Sequence, residues 1–274
     1  MTRLSINEMT TYRWSFEEDV RHYCASGIGA IGVWRQKLAD FGEERGIELL
    51  AESGLAVSNV LWAGGFTGSC GHSYRESLSD AADAIRLAGA LRAGALVVYS
   101  GGRNGHTTNH ARRLFSGAIK ELLPLAAEKQ VTLAVEPMHP SCAGDWTILT
   151  SLAEGDSLVE SFGSPWVKLA LDTYQFGHDP GLLDYLQSKA ANIGVVHLGD
   201  SSRPPDPENN RQPLGSGAVP LAKIVAALDG AGYRGYFDVE LMGEEIEVAD
   251  YRQLLVDSKR TFDQLTAALS TSGE

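Results

Sequence analysis

A closed α/β barrel of eight parallel strands is the fold that the sequence predicts. Short apolar runs typical of strands recur at intervals of about 25 to 40 residues, and stretches with helical periodicity separate them. Several of these runs are continuously apolar, as strands covered on both faces must be. Eight strand–helix alternations in 274 residues favour a single (β/α)8 TIM barrel over an open doubly wound sheet, which usually has fewer strands.

The elements follow one another without a break along the chain. The predicted strands are LSINEM (4–9), AIGVW (30–34), LAVSNVLW (55–62), ALVVYS (95–100), VTLAVEP (131–137), VKLALDT (167–173), IGVVHLG (193–199) and YFDVELM (236–242). Between them, residues 77–94 and 110–130 have helical periodicity. No linker rich in Pro, Gly or Ser divides the chain, so we expect one domain over residues 1–274. The proline-rich segment 200–220 follows the seventh strand, and its length and position favour a functional loop.

Composition and charge exclude several classes of protein. A formal charge of −12 and a pI near 5.0, without a Lys/Arg-rich run, argue against nucleic acid as a partner. No segment approaches the roughly 18 consecutive apolar residues of a membrane span, and the N-terminus has no apolar targeting region. Three widely spaced cysteines argue against a disulfide framework, so a cytoplasmic protein is expected. Oligomeric state stays open, although barrels of this kind often form homo-oligomers.

Polar residues stand where four consecutive predicted strands end. Glu136 ends the fifth strand, Asp172 the sixth, His197 the seventh and Glu240 the eighth. In a barrel the carboxyl ends of all strands surround one mouth, so these four side chains are predicted to converge. Three crowded carboxylates would repel one another unless a cation neutralised them.

Oxygen ligands combined with one imidazole suit a single divalent ion. Mn²⁺ or Mg²⁺ fits such a set best, and Co²⁺ or Zn²⁺ can also be bound, with coordination positions left open for a substrate. Each residue also has a structural reading, since an acid at a strand end often caps the following helix. In LALDTYQFGHD (169–179), Asp172 is the predicted ligand, and Asp179 before Pro180 is the better candidate for a helix cap.

Four motifs carry a resemblance to a known superfamily: VEPMHP, LDTYQFGHD, VVHLGDSSRPP and LGSGAVPLAKIVAALDGAGYRGYFDVEL. The chain resembles the sugar phosphate isomerases and epimerases of the xylose-isomerase-like TIM barrels, including ketose 3-epimerases and hydroxypyruvate isomerase-like proteins. The resemblance implies that Glu136, Asp172, His197 and Glu240 bind one divalent ion, often manganese. The endonuclease branch of the superfamily needs further His and Asp ligands where this chain has Asn210 and Gln212.

Substrate contacts transfer less completely from the resemblance. Arg203 stands six residues after His197, where ketose 3-epimerases have a substrate-binding arginine, whereas Gln175 replaces a histidine found three residues after the metal aspartate. EPMHP resembles the EPLHP of a branch that includes enzymes cleaving C-glycosides of 3-keto sugars, which singles out His139 as a catalytic candidate. Further along, Asp145 and Trp146 are interpreted as the start of the next helix. Rim positions that could contact a sugar are Trp34, Trp62 and His106.

These residues together predict a metal-dependent isomerase or epimerase acting on a keto sugar. Glu136 and Glu240 would move a proton through an enediolate on opposite sides of the mouth. A metal-dependent lyase or dehydratase, with His139 as an acid and C-glycoside cleavage among its reactions, is the alternative enzyme. A sugar-binding barrel subunit without turnover is the non-enzymatic alternative, because Gln175 replaces the histidine that the resemblance implies.

Overall fold

The computed structural model describes residues 3–270 and contains a closed barrel of eight parallel strands in chain order. The closing pair joins β1 to β8, so the predicted barrel is confirmed. The domain predicted over residues 1–274 includes residues 1–2 and 271–274, which lie outside the described residues. The strands are β1 (Leu4–Asn7), β2 (Ala30–Trp34), β3 (Ala56–Gly64), β4 (Ala95–Tyr99), β5 (Thr132–Val135), β6 (Val167–Asp172), β7 (Ile193–Leu198) and β8 (Phe237–Val239).

Helices of very different lengths connect the strands. Within residues 3–270 they are α1 (Phe16–Ala25), α2 (Arg35–Phe41), α3 (Glu43–Ser53), α4 (Tyr74–Ala90), α5 (Thr108–Lys129), α6 (Pro140–Ala143), α7 (Leu152–Phe162), α8 (Thr173–Phe176), α9 (Leu182–Lys189), α10 (Leu221–Gly230), α11 (Glu244–Glu247) and α12 (Tyr251–Ser270). Helix α4 begins before the predicted residue 77 because Ser73 and Glu76 form a reciprocal capping box. Among the described residues, no helix has both the length and the apolar character needed to cross a membrane.

Two apolar regions hold the barrel together. The larger lies between the strands and the surrounding helices, and the smaller fills part of the barrel interior. The interior cluster consists of Leu61, Ala95, Val97, Ala134, Ala170 and Val195, with Met9 and Trp62 packed against it. Because side chains on a strand alternate between faces, Ala134 and Ala170 point the same way as Glu136 and Asp172 two residues later. The interior cluster is therefore the floor beneath the predicted ligands.

The other part of the interior is polar. Asp238 on β8 accepts hydrogen bonds from Asn7 on β1 at 2.7 Å and from Asn59 on β3 at 2.8 Å, and all three side chains are fully buried. Strands β8 and β3 are not neighbours, so this contact crosses the interior. Gly32 on β2 makes room for it, since a Cβ there would lie 2.8 Å from Asn7 Nδ2 and closer still to Asp238.

Candidate metal centre and mouth of the barrel

Four consecutive strands place the predicted ligands at one end of the barrel. Asp172 is the last residue of β6 and His197 lies near the end of β7, while Glu136 and Glu240 directly follow β5 and β8. The backbone N–H groups of Glu136 and Glu240 still donate to the preceding strands, both at 3.0 Å. The barrel ladder therefore fixes the backbone at both glutamates. None of the four residues is more than 4% exposed.

Three of the four side chains form a candidate site for a divalent ion. One ligand atom each from Glu136, His197 and Glu240 lies within 4.8 Å of the other two. His197 Nδ1 lies 3.3 Å from Glu240 Oε2 and 3.7 Å from Glu136 Oε1. Both ring nitrogens of His197 are buried without a hydrogen-bond partner, so the imidazole is available as a ligand. Two carboxylates and an imidazole are suitable ligands for a divalent cation.

Asp172 has two contacts of a different kind. Its Oδ1 accepts a hydrogen bond from the Tyr174 backbone N–H at 2.8 Å and so caps the short helix α8. Its Oδ2 accepts from Arg211 Nη2 at 2.8 Å. Asp172 therefore caps a helix and is also the predicted metal ligand. Asp179 does not cap a helix as expected, because α9 begins at Leu182 with Gly181 as its N-cap.

Arg211 was missed by sequence reasoning, although Asn210 and Gln212 on either side of it were considered. It lies in the loop after β7, is 5% exposed, and stacks over the Tyr174 ring at 5.1 Å. Its Nη1 donates to both Glu240 Oε2 and the Glu240 backbone oxygen at 2.7 Å. The sequence contains one indication of this contact: Arg211 is a cation in the segment 200–220, and three of the four predicted ligands are acids.

Burial and charge shift the pKa values of the ligand set in different directions. Burial raises the pKa of Asp172 to about 6, although Arg211 opposes the effect. Burial also disfavours the charged form of Glu240, but Arg211 and His197 outweigh it and hold the Glu240 pKa below its ordinary value. Burial opposes protonation of His197, yet the neighbouring Glu240 and Glu136 raise its pKa well above the ordinary value. The cluster therefore attracts positive charge.

Gln175 and His139, both predicted near the substrate, lie against each other. Gln175 is buried, and its Oε1 accepts a hydrogen bond from the His139 backbone N–H at 2.9 Å. Its Nε2 donates to Asn209 at 3.3 Å, so it connects the loops after β5 and β7. The His139 ring caps α6, with Nδ1 2.6 Å from Ser141 Oγ. Gln175 therefore bridges two loops at the position where a substrate-binding histidine was expected.

Arg203 lies in the loop after β7, outside the cluster of candidate ligands. It is exposed and lines a cavity of about 220 Å³, whose wall also includes Tyr174, Arg211 and Gln212. It is not among the residues that contact the carboxylates. The guanidinium that reaches Glu240 belongs to Arg211, eight residues later in the same loop.

The predicted rim residues are spread around the mouth. Trp34 is the last residue of β2, and its backbone N–H donates to Glu8 Oε2 at 2.7 Å. Trp62 on β3 packs against the interior cluster, and a ring nitrogen of His106 lies 3.2 Å from the Thr67 backbone oxygen. Asp145 and Trp146 do not start a helix as expected. They lie in a turn after α6, and α7 begins only at Leu152, after its cap Ser151.

A family model with the description "xylose isomerase-like TIM barrel" matches residues 25–261. The chain belongs to this family. The family resemblance that the motifs indicated is thereby confirmed over most of the chain. The shared fold also accounts for the location of the candidate metal centre at the carboxyl ends of the strands.

Similar proteins include an L-ribulose-5-phosphate 3-epimerase, UlaE, from Escherichia coli O1:K1 / APEC. It is 29% identical over 140 residues, which cover 51% of this chain and 46% of the relative, so the match spans about half of the curated protein. Among solved structures, protein SMc04130 from Sinorhizobium meliloti 1021 is 26% identical, with a TM-score of 0.87 over 96% of this chain and 98% of that one. The IOLI protein, solved with a zinc atom, has a TM-score of 0.83 at 19% identity over 98% and 99% of the two chains.

Proposed function

We propose that this barrel is a divalent-metal-dependent isomerase or epimerase of a keto sugar. The observation that carries the proposal is the buried cluster of Glu136, His197 and Glu240 at the mouth of the barrel. A partial relative is named as a ketose-phosphate 3-epimerase, which agrees with this reaction class. The substrate would be a small molecule bound at the mouth, where barrel enzymes carry their active sites.

The residues present fit a divalent ion. The buried imidazole nitrogens of His197 have no hydrogen-bond partner, and the carboxylates beside them lie close enough to share one cation. Glu136, His197 and Glu240 would hold the ion, with Asp172 as a fourth ligand once its contact with Arg211 is exchanged. The oxygen-rich donor set favours Mn²⁺, with Mg²⁺, Co²⁺ and Zn²⁺ as competitors that a metal analysis of the purified protein would distinguish.

The two glutamates would carry out the proton transfers. The bound ion supplies Lewis acidity that polarises the carbonyl group of the sugar. Glu240, whose pKa is lowered by Arg211 and His197 against the effect of burial, remains a carboxylate that can accept a proton. Glu136 extends from β5, three strands away, and can serve a different face of the substrate. Proton removal gives an enediolate, and return to the opposite face or to the adjacent carbon gives an epimer or an isomer.

Solvent deuterium incorporation tests the proposal directly. The protein with added Mn²⁺ should exchange the proton beside the carbonyl of at least one member of a panel of keto sugars and their phosphates. Glu136→Gln and Glu240→Gln should each lower exchange by about 10²-fold or more, because each removes a proton-transfer group. Glu121→Gln, on the exposed side of α5, is the matched control and should exchange normally.

Three outcomes distinguish the proposal from its alternatives. Loss of a hydroxyl or a glycosyl group without exchange would indicate the lyase, for which His139 would be the acid. Tight sugar binding without exchange would indicate a binding subunit. If exchange is equal in wild-type protein and both glutamine variants, the proposed chemistry is wrong.

A further inference from the structure

Trp146 is an unusually exposed aromatic residue at the mouth of the barrel. Its side chain follows α6 in the loop after β5, the strand that also leads to Glu136. It is 42% exposed, and no other aromatic residue in the described part of the chain is among the exposed large hydrophobic side chains. An indole left in water at the mouth of a barrel is a candidate contact for a ligand.

Trp146 belongs to a cluster of three rings, which we call the aromatic cluster: Trp62, Tyr99 and Trp146. The Trp146 ring centre lies 5.7 Å from that of Trp62 and 5.4 Å from that of Tyr99, with the planes tilted by 54° and 64°. Trp62 lies near the end of β3 and Tyr99 is the last residue of β4. The cluster therefore forms the side of the mouth that β3, β4 and the loop after β5 provide.

The backbone that carries Trp146 is held by neighbouring loops. Gly101 N–H donates to the Trp146 carbonyl at 2.8 Å, and Gly102 N–H donates to the Asp145 carbonyl at 2.7 Å. The two loops approach so closely that a Cβ at Gly102 would lie 2.5 Å from the Gly144 carbonyl oxygen. Ser69 Oγ, from the loop after β3, also donates to the Asp145 carbonyl at 3.1 Å. These bonds hold the backbone of Trp146, and packing on Trp62 and Tyr99 holds its ring, so the indole is positioned in advance, which lowers the entropic cost of binding a ligand.

The aromatic cluster is continuous with the candidate metal centre. Trp62 packs against the interior cluster, which includes Ala134 and Ala170. These alanines lie on the strands that carry Glu136 and Asp172, two residues before each of them. The three rings and the carboxylates therefore share one mouth, above one apolar cluster.

We infer that the aromatic cluster is a subsite for a second sugar ring, so that the preferred substrate is a glycosylated keto sugar and not a free monosaccharide. The inference rests on the proposed function, because it takes the reacting ring to lie at the metal centre. A pyranose presents a face of C–H groups, and these are attracted to the negative face of an indole or phenol ring. The first ring alone would leave Trp146 exposed, whereas a second ring would cover it.

Binding measurements test the subsite without requiring turnover. The Mn²⁺-loaded protein is titrated calorimetrically with D-fructose and with its glucosylated forms turanose, maltulose and isomaltulose, which differ in linkage. We expect at least one disaccharide to bind about tenfold more tightly than fructose, and intrinsic tryptophan fluorescence to change with the same dissociation constant. Trp146→Ala should remove this advantage and leave fructose affinity unchanged, while Trp146→Phe should keep part of it.

Trp166→Ala is the matched control, because Trp166 is half-buried just before β6, at the opposite end of the barrel. The subsite is ruled out if none of the disaccharides binds better than fructose, or if Trp146→Ala weakens fructose and disaccharide equally while circular dichroism remains native. Failure of the proposed function is separate, since absence of deuterium exchange in wild-type protein leaves the ratio of the two affinities measurable.

Discussion

Arg211 donates through Nη1 to both Oε2 and the backbone oxygen of Glu240, each at 2.7 Å. A side chain from the long loop after β7 thereby supplies positive charge to the strand-end carboxylates, and its second amino group reaches Asp172 at 2.8 Å. The guanidinium both orients Glu240 and offsets the repulsion between acids that burial would otherwise intensify. The loop and the candidate metal centre are therefore coupled.

Arg211→Met should destabilise the metal-free protein by about 3–5 kcal/mol, because two buried carboxylates lose their counter-charge. Saturating Mn²⁺ should increase the free energy of unfolding of this variant by more than it increases that of wild type. Urea denaturation with EDTA and with Mn²⁺ measures both effects. Arg203→Met, in an exposed position of the same loop, is the control and should change stability little. Equal losses in the two variants would contradict the role assigned to Arg211.

Gly32→Ala should disturb the polar interior next to the ligands. The added methyl group would lie 2.8 Å from Asn7 Nδ2 and closer to Asp238, which pairs in register with His197. We expect the free energy of unfolding to fall by about 1–3 kcal/mol, as it does when other well-packed cores receive an extra methyl group. Mn²⁺ affinity, measured by calorimetry, should also fall.

Gly230→Ala provides the comparison for this substitution. It is an exposed position at the end of α10, where a Cβ would meet no atom within 4 Å. Alanine is favoured over glycine in helices, so stability should stay equal or rise by up to about 1 kcal/mol. A Gly32→Ala protein as stable as Gly230→Ala would mean that the interior accommodates the methyl group.

The convergence of the strand-end residues could be predicted from the sequence because it follows from topology alone. Eight periodic strands imply a barrel, and a barrel brings the residues after its strands to one mouth. The contacts of Arg211 and the exposed position of Trp146 could not be predicted for the opposite reason: both residues lie in irregular segments, whose path depends on particular hydrogen bonds and not on a period. The resemblance to ketose 3-epimerases pointed to Arg203 as a substrate contact, and it gave no indication that Arg211 of the same loop donates to Glu240.

The stability of the Glu8→Gln variant, compared with that of wild type, should increase as the pH rises. Glu8 is fully buried near Asp19, and burial followed by the Asp19 charge raises its pKa well above the ordinary value. The folded protein keeps the Glu8 proton at pH values where the unfolded chain has released it. The free energy of unfolding of wild type therefore decreases as the pH rises from the ordinary glutamate pKa toward the pKa of Glu8 in the folded protein. A glutamine cannot titrate, so the variant does not show this decrease.

The difference in unfolding free energy between Glu8→Gln and wild type should grow by on the order of 1 kcal/mol or more between about pH 5 and about pH 8. The glutamine oxygen can still accept the Trp34 N–H that Glu8 accepts at 2.7 Å. Glu17→Gln, exposed on α1, is the control and should show no such trend. A constant difference across this pH range would show that Glu8 does not titrate abnormally.

Asp200→Asn should loosen the loop that positions Arg211. The buried Asp200 carboxylate accepts backbone N–H groups of Gly215 at 2.8 Å, Gly217 at 3.1 Å and Val219 at 3.2 Å, so it ties the far end of the loop to β7. An amide has one acceptor oxygen and would turn its NH₂ group toward some of these donors, at a cost of about 1–3 kcal/mol. Trypsin reports the result, because it can cleave after Arg211 but not after Arg203, which precedes Pro204. We expect faster cleavage at Arg211 in Asp200→Asn than in wild type or in the exposed control Asp83→Asn. Equal cleavage rates in the three proteins would show that Asp200 does not hold this loop in place.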